Sequence, residues 1–322
     1  MSTYILDFEN PLKDIENKIE SLKKTSFDTG IDVSDSLKEL EKKLILKKKE
    51  IYSNLTRWQK VQLARHPLRP YSSDYIEMIT DEWFELKGDR KFSNDSSIIS
   101  GIGTIDNLSV MIIAQEKGRG TKKKLEHNFG MPHPEGYRKS LRIMKLAEKF
   151  NIPILTLIDT PGAYPGIGAE ERGQAQAIAE NLFEMSMLKV PIISIVIGEG
   201  ASGGALAIAL CDRLICMENT WFSVISPEGC ASILFRDPLK ANLAADSMKV
   251  TSDDLMNLKI ADSLIKEPLG GAHSNYKESA ISLKNSFLTN LSELENLNKN
   301  ELIALRLKKY DKIGTWVGKQ NV

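Results

Sequence analysis

The sequence predicts an α/β fold, and two observations carry the prediction. The runs IPILTLI (152–158) and VPIISIVI (190–197) are apolar on both faces, as strands covered on both sides of a parallel sheet are. Each leads into a glycine-rich turn, TPGAYPG after the first and GEGASGG after the second, and each turn leads into a helix-forming stretch. Two successive strand–turn–helix units lying side by side require α/β layering. No sequence repeat accompanies that architectural likeness.

Along the chain, 11–26 and 32–55 read as two charged amphipathic helices. Leu37, Leu40, Leu44, Leu46, Ile51 and Leu55 recur close to helical spacing. Their many Lys and Glu suggest solvated helices packed on a partner or on the main domain. ARHPLRPY (64–71) breaks helix at two prolines and reads as a connector. A helix capped by Ser73 or Asp74 follows over 73–85. From 98 the character changes: strands are expected at 98–105, 109–115, 153–158, 191–197, 213–217 and 221–225. Helices are expected at 135–150, 169–189, 203–211, 239–248, 252–258 and 277–294. This divides the chain into an N-terminal helical extension and connector (1–72), a main domain (73–295) and a polar, helix-prone, peripheral tail (296–322).

Composition excludes several classes. Lys+Arg and Asp+Glu balance at 43 each, so no global charge points to nucleic acid or a membrane surface. The apolar runs are too short to span a bilayer, and the N-terminus lacks the basic start and apolar core of a signal peptide. Cys211, Cys216 and Cys230 form no CxxC pair and read as small core residues of a reducing compartment. The four histidines show no metal-ligand spacing, so no metal is expected on this chain.

GEGASGG (198–204) admits four readings. Gly198-x-Gly200-x-x-Gly203, with Glu218 beyond the next strand, matches a dinucleotide fingerprint, although the helix after it is short for one. Gly200-x-Ser202-x-Gly204 matches a nucleophile elbow, and Asp262 and His273 follow in hydrolase order. Third, the amides of Gly203 and Gly204 at a helix start suit a developing oxyanion. Fourth, the glycines serve only close packing. The loop Thr160–Gly166, at the carboxyl end of a buried strand, is either a ligand site or a rigid turn. KGRGTKKK (117–124) reads as a solvated basic loop, or as one that meets the phosphates of a large cofactor. His127 and His133 read as structural. SPEG (226–229) reads as a helix start lining the same cleft, with Glu228 either a general acid–base or a surface acid.

At these residues the sequence resembles a family. TPGAYPGIGAEERGQ, IGEGASGGALAI, SPEGCASIL and EPLGGAH are similar to the alpha subunit of bacterial- or plastid-type acetyl-CoA carboxylase carboxyltransferase. LDFENPL, LARHPLRPY, LKGDR and NFGMPHPEGYRK extend the resemblance over nearly the whole chain. It departs at Ala201, where the family usually has a third glycine, and in IALCDR, where it often has glycine in the helix.

The resemblance implies a crotonase-like (ClpP/crotonase) superhelix of strand–strand–helix units over 73–295. It implies an alpha2beta2 assembly with a separate beta subunit, served by a biotin carboxyl carrier protein and, in the wider complex, biotin carboxylase. Carboxybiotin on the carrier gives its carboxyl group to acetyl-CoA, making malonyl-CoA for fatty-acid synthesis. The ureido group can itself take the methyl proton, so no catalytic His or Cys is required. Active sites form between the subunits, and zinc belongs to the beta subunit. Gly203 and Gly204 then form the catalytic oxyanion hole. Gly162, Ala163, Tyr164, Gly166, Gly200, Ser202, Ser226, Pro227, Glu228 and Gly229 face the substrates. Gly204→Val is expected to fold, assemble and lose transfer. The location is a bacterial cytoplasm, or plastid stroma for a plastid-encoded chain. The competing readings are a stand-alone acyl-CoA hydratase or isomerase of the same fold, for which Glu228 would be the catalytic acid, and a non-catalytic scaffold subunit.

Overall fold

The computed structural model describes residues 6–314; the first five residues and the last eight of the tail lie outside the described residues. Helices α1 (Asn10–Thr29) and α2 (Ser34–Ser53) pack on each other, with Gly30 ending α1 at a φ of 71°. Just before the connector lies a helix that its short apolar pattern did not reveal, α3 (Arg57–Ala64), capped by Thr56, whose side chain accepts from the Gln59 amide. The helix expected over 73–85 is only α4 (Ser72–Ile79). Its last residues are instead β1 (Glu82–Glu85), extended because they pair with the next strand.

The main domain continues with β2 (Ile98–Ile105), β3 (Leu108–Gln115), α5 (Gly120–Glu126), α6 (Pro134–Phe150) and β4 (Ile154–Thr160). The helix expected over 169–189 is two, α7 (Ile167–Glu171) and α8 (Gln174–Met187), separated at Gly173, whose φ of 84° a helix cannot hold. Then come β5 (Ile192–Ala201), α9 (Ser202–Leu206), β6 (Arg213–Met217), β7 (Trp221–Ser223), α10 (Pro227–Phe235), α11 (Ala241–Met248) and α12 (Ser252–Asn257). A three-residue strand too short to show in the sequence, β8 (Ser263–Ile265), precedes α13 (Tyr276–Leu294) and α14 (Lys299–Asp311).

One mixed sheet runs β1-β2-β3-β4-β5-β6-β8, with β7 pairing β5. β1, β2 and β3 are antiparallel; β3 through β8 are parallel. Alternate residues of β4 and β5 fill two cores. Ile154, Ile158, Ile192 and Val196 pack toward α6 and α8, while Leu155, Leu157, Ile193 and Ile195 pack toward α4 and α13. That double burial explains the continuous apolar runs. Near its carboxyl end the β4–β5 pairing steps from Ile158↔Val196 to Thr160↔Gly200, a bulge in β5. Bulges of this kind re-aim side chains beside functional sites.

The tail is not peripheral. Its helix α14 inserts Arg306, which is 1% exposed, between α8 and the start of β6. The guanidinium donates to both Asp212 oxygens (2.8 and 2.7 Å) and to the carbonyls of Met185, Leu188 and Val190.

Candidate active site

The glycine-rich turn and the first loop meet at the carboxyl edge of the sheet. β5 ends at Ala201 and α9 begins at Ser202, whose φ is 59°. Ala201 offers no side-chain cap, so the leading amides of α9 have no side-chain acceptor there. Ser202 is exposed, Gly203 half-buried and Gly204 buried. The Gly204 carbonyl accepts from Gln115 Nε2 (2.7 Å) and Tyr137 OH (3.4 Å). Gln115 Oε1 in turn accepts from the Asp159 amide (3.2 Å), so a buried amide side chain on β3 fixes α9 against the end of β4. Nothing in the sequence marked Gln115.

The two glycines have different duties. A Cβ on Gly204 would lie 2.4 Å from the Ala163 amide nitrogen and the Gly162 carbonyl carbon, backbone atoms that cannot move aside. A Cβ on Gly203 would make ordinary 3.6 Å contacts with Ile178. Gly204 thus lets α9 lie directly on the Gly162–Ala163 loop, and the expectation that Gly204→Val folds is overturned. Thr160 Oγ1 holds that loop by accepting from the Gly162 amide (3.0 Å). Tyr164 stacks on His133, ring centroids 4.1 Å apart, and a Cβ on Gly166 would strike the Tyr164 ring at 2.4 Å. Gly200 faces the Phe222 ring, which a Cβ would meet at 2.3 Å.

Ser226, Pro227 and Gly229 build the start of α10. Ser226 Oγ accepts from the Gly229 amide (3.1 Å), and Pro227 is buried in the first turn. Glu228 is not a free acid, because Arg65 donates to both its oxygens. Burial alone would raise the Glu228 carboxyl, but Arg65 holds it below its ordinary value.

A five-residue line of alternating charge backs the turn. Lys117 Nζ lies 2.6 Å from Asp159 Oδ1 and 2.6 Å from Glu199 Oε2; Arg65 Nε lies 2.5 Å from Glu199 Oε1 and pairs Glu228 with its other nitrogens. Burial pushes the Asp159 carboxyl up. At Glu199 burial has the same tendency, but Lys117 and Arg65 reverse it and keep the carboxyl low. Lys117 opens the basic run expected to be solvated. It is instead half-buried, and its ammonium is pushed up because the two carboxylates outweigh desolvation. The rest of the run is α5, with Lys122, Lys123 and Lys124 exposed. A cavity of about 170 Å³ adjoins the line, bounded by Arg65, Tyr71, Lys117, Lys124, Phe129 and Glu199.

The hydrolase and dinucleotide readings do not survive this geometry. Asp262 accepts from the Leu214 amide (2.7 Å) at the amino-terminal end of β6, the opposite end of the sheet from Ser202. His273 stacks on His66 at 3.7 Å, and His127 and His133 bond Ser96 and Asn128. Ser202 has the strained backbone of an elbow but no base beside it. Glu218 is taken by Lys266 (2.6 Å), and α9 has five residues. Among the described residues no three His, Cys, Asp or Glu side chains could share a metal ion, and no helix is long and apolar enough to cross a membrane.

A family model described as acetyl co-enzyme A carboxylase carboxyltransferase-like matches residues 5–314. The acetyl-coenzyme A carboxylase carboxyl transferase subunit alpha of Methylococcus capsulatus is 52% identical over 309 residues, covering 96% of each chain. That of Staphylococcus haemolyticus is 50% identical, covering 98% of this chain and 100% of its own. Among solved structures, transcarboxylase 12S superposes with a TM-score of 0.55 at 18% identity. The match covers 77% of this chain and 43% of that one, less than half its length. The Pseudomonas malonate decarboxylase hetero-dimer superposes at 0.58 with 15% identity, covering 74% and 95%. These neighbours place the α/β domain in the crotonase-like fold class.

Proposed function

The chain belongs to the acetyl-CoA carboxylase carboxyltransferase family, and on that premise we propose that it is the alpha-type half of a two-part enzyme. The enzyme transfers a carboxyl group from carboxybiotin to acetyl-CoA, giving malonyl-CoA for fatty-acid synthesis. One observation within the site supports this most: the three carboxylates behind the glycine-rich turn, Asp159, Glu199 and Glu228, are each tied to Lys117 or Arg65, while the leading amides of α9 carry no side-chain cap. Such a site suits charge stabilisation by fixed backbone donors rather than proton transfer by a side chain.

Carboxybiotin arrives as a substrate on a separate carrier protein and supplies the carboxyl group, with negative charge growing on its ureido oxygen as the N–C bond breaks. The amides of Gly203 and Gly204 face that oxygen. Gln115 and Tyr137 hold the Gly204 carbonyl, which keeps α9 oriented without reorganisation during the reaction. The 160–166 loop and the α10 start border the same substrates. The chain itself binds no metal or cofactor, and zinc belongs to the beta subunit.

Two features support a partner that closes the site. The cavity of about 170 Å³ is smaller than the roughly 300–1,000 Å³ usual for a small-molecule site. Val224, Ile233, Leu234, Leu239 and Leu243, on and after the loop that leads into α10, are exposed apolar side chains of the kind a subunit covers. An alpha2beta2 assembly in a bacterial cytoplasm or plastid stroma, served by a biotin carboxyl carrier protein and biotin carboxylase, fits them. The hydratase alternative needs a free Glu228, which Arg65 withholds. The test is malonyl-CoA/biotin exchange by the chain co-expressed with a candidate beta subunit. Exchange is expected; hydration of an enoyl-CoA by the chain alone would favour the alternative.

A further inference from the structure

We propose that Arg65, which lies in the N-terminal connector, is a positioning residue of the active site: its guanidinium is a bracket that sets the glycine-rich turn against the start of α10. This rests on the functional reading above. Arg65 is 134 residues from Glu199 and 163 from Glu228, yet one fork holds both. Nε serves Glu199, the residue that leads into Gly200-Ala201-Ser202-Gly203-Gly204. The two terminal nitrogens serve Glu228, on the first turn of α10.

Behind the bracket, Lys117 fixes Glu199 from its other side and binds it to Asp159 at the end of β4. The Glu199 amide also donates to Asp159 Oδ1 (2.9 Å). Gly198 makes room for this, since a Cβ there would stand 2.3 Å from the Asp159 carboxylate. The bulge in β5 thus points Glu199 into the line of charges. Arg65 additionally lies over the Trp221 ring, 5.5 Å from its centroid, on the strand that pairs with Glu199 and Gly200. With Lys117 anchored, the only side chain tying α10 to this frame through charge, among the described ion pairs, is Arg65.

Neither large apolar cluster of the sheet includes the bracket's side chains, which border only the small cluster of Val61, Ala64, Ala201, Trp221 and Val250. Apolar side chains of similar volume would commonly serve stability as well as a buried ion network. The geometry demands a planar fork. A lysine at 65 offers a point charge that can serve one carboxylate well, and it cannot stack on the indole in the same way. Misplacing reacting groups by about 1 Å can cost on the order of 100-fold in rate, so a loosened α10 should register in turnover.

The experiment compares Arg65→Lys with the unaltered chain, each assembled with its carboxyltransferase partner. It reads malonyl-CoA/biotin exchange, thermal stability, and amide hydrogen exchange over 199–204 and 226–230. The expected result is an intact complex with near-unaltered melting temperature. In it kcat falls about 10- to 100-fold while KM changes less than about twofold, and the 226–230 amides exchange faster. Retained turnover with unchanged amide exchange, or a loss matching only the folded fraction, overturns the proposal. Should Arg65→Lys fail to assemble, Glu228→Gln removes the outer rung alone and must show the same faster exchange at 226–230; unchanged exchange there overturns the bracket. If the unaltered complex transfers no carboxyl group, the functional reading fails, and amide exchange still decides whether the bracket exists.

Discussion

At the scale of single residues, the site turns on two adjacent glycines that the sequence presents alike. Gly204 is a packing glycine, since a Cβ would meet backbone at 2.4 Å, whereas Gly203 has room for one at 3.6 Å from Ile178. We therefore expect Gly204→Ala to destabilise the chain by about 1–3 kcal/mol, as overpacking does, measured by urea unfolding. Gly203→Val should instead fold and assemble, yet lose turnover by up to the roughly 100- to 1,000-fold that an oxyanion donor is worth. Near-normal turnover in an assembled Gly203→Val complex would remove the oxyanion role from Gly203. Ser202→Ala should keep most of the activity, because no histidine or acid partners the hydroxyl; complete loss together with covalent labelling of the serine would restore a nucleophilic role. The motif was legible because glycine spacing is local. Gln115, Lys117 and Arg65 were not, because their roles depend on contacts with residues far along the chain, which no window of sequence displays.

At the scale of elements, strands β4 and β5 were legible because double burial leaves an unbroken apolar run. The errors fell where tertiary contact overrides local pattern. Glu82–Glu85 looks helical until β2 lies beside it, and Gly173 breaks a helix that composition alone would continue. The tail misled in the same way: a lone arginine in a polar stretch gives no sign of burial. Removing one partner of a buried pair costs roughly 3–5 kcal/mol, so Arg306→Met should lower unfolding free energy by about that much. A loss under about 1 kcal/mol by denaturant titration would mean that α14 docks by other contacts. The connector and the segment before α13 carry a pH signal. His273 is brought down from 6.5 to about 3, first by burial and then by His66 and Arg69, with Lys48 adding and Glu267 opposing. Between those values the unfolded chain binds the more protons at this residue, so its contribution to stability falls as pH drops through the window. His273→Phe should therefore flatten the dependence of unfolding free energy on pH between 7 and 5 by up to about one proton. Equal slopes for both proteins would place the acid sensitivity elsewhere.

At the scale of the whole molecule, the sheet gathers the ends of β3, β4 and β5, the α9 turn and the α10 start at one edge, and the connector locks them from outside. Unbroken apolar runs ending in glycine-rich turns indicated the fold class, and long motifs indicated the family. The cavity of about 170 Å³ and the exposed apolar side chains around α10 emerge only from packing. The central claim is that this chain is half of a carboxyltransferase. Its most direct measurement is malonyl-CoA/biotin exchange as purified beta subunit is titrated into a fixed amount of this chain. The account predicts no exchange by either component alone and a rise that saturates at one beta subunit per chain. Robust exchange by this chain without the beta subunit, or none at any ratio with a properly assembled complex, would contradict it.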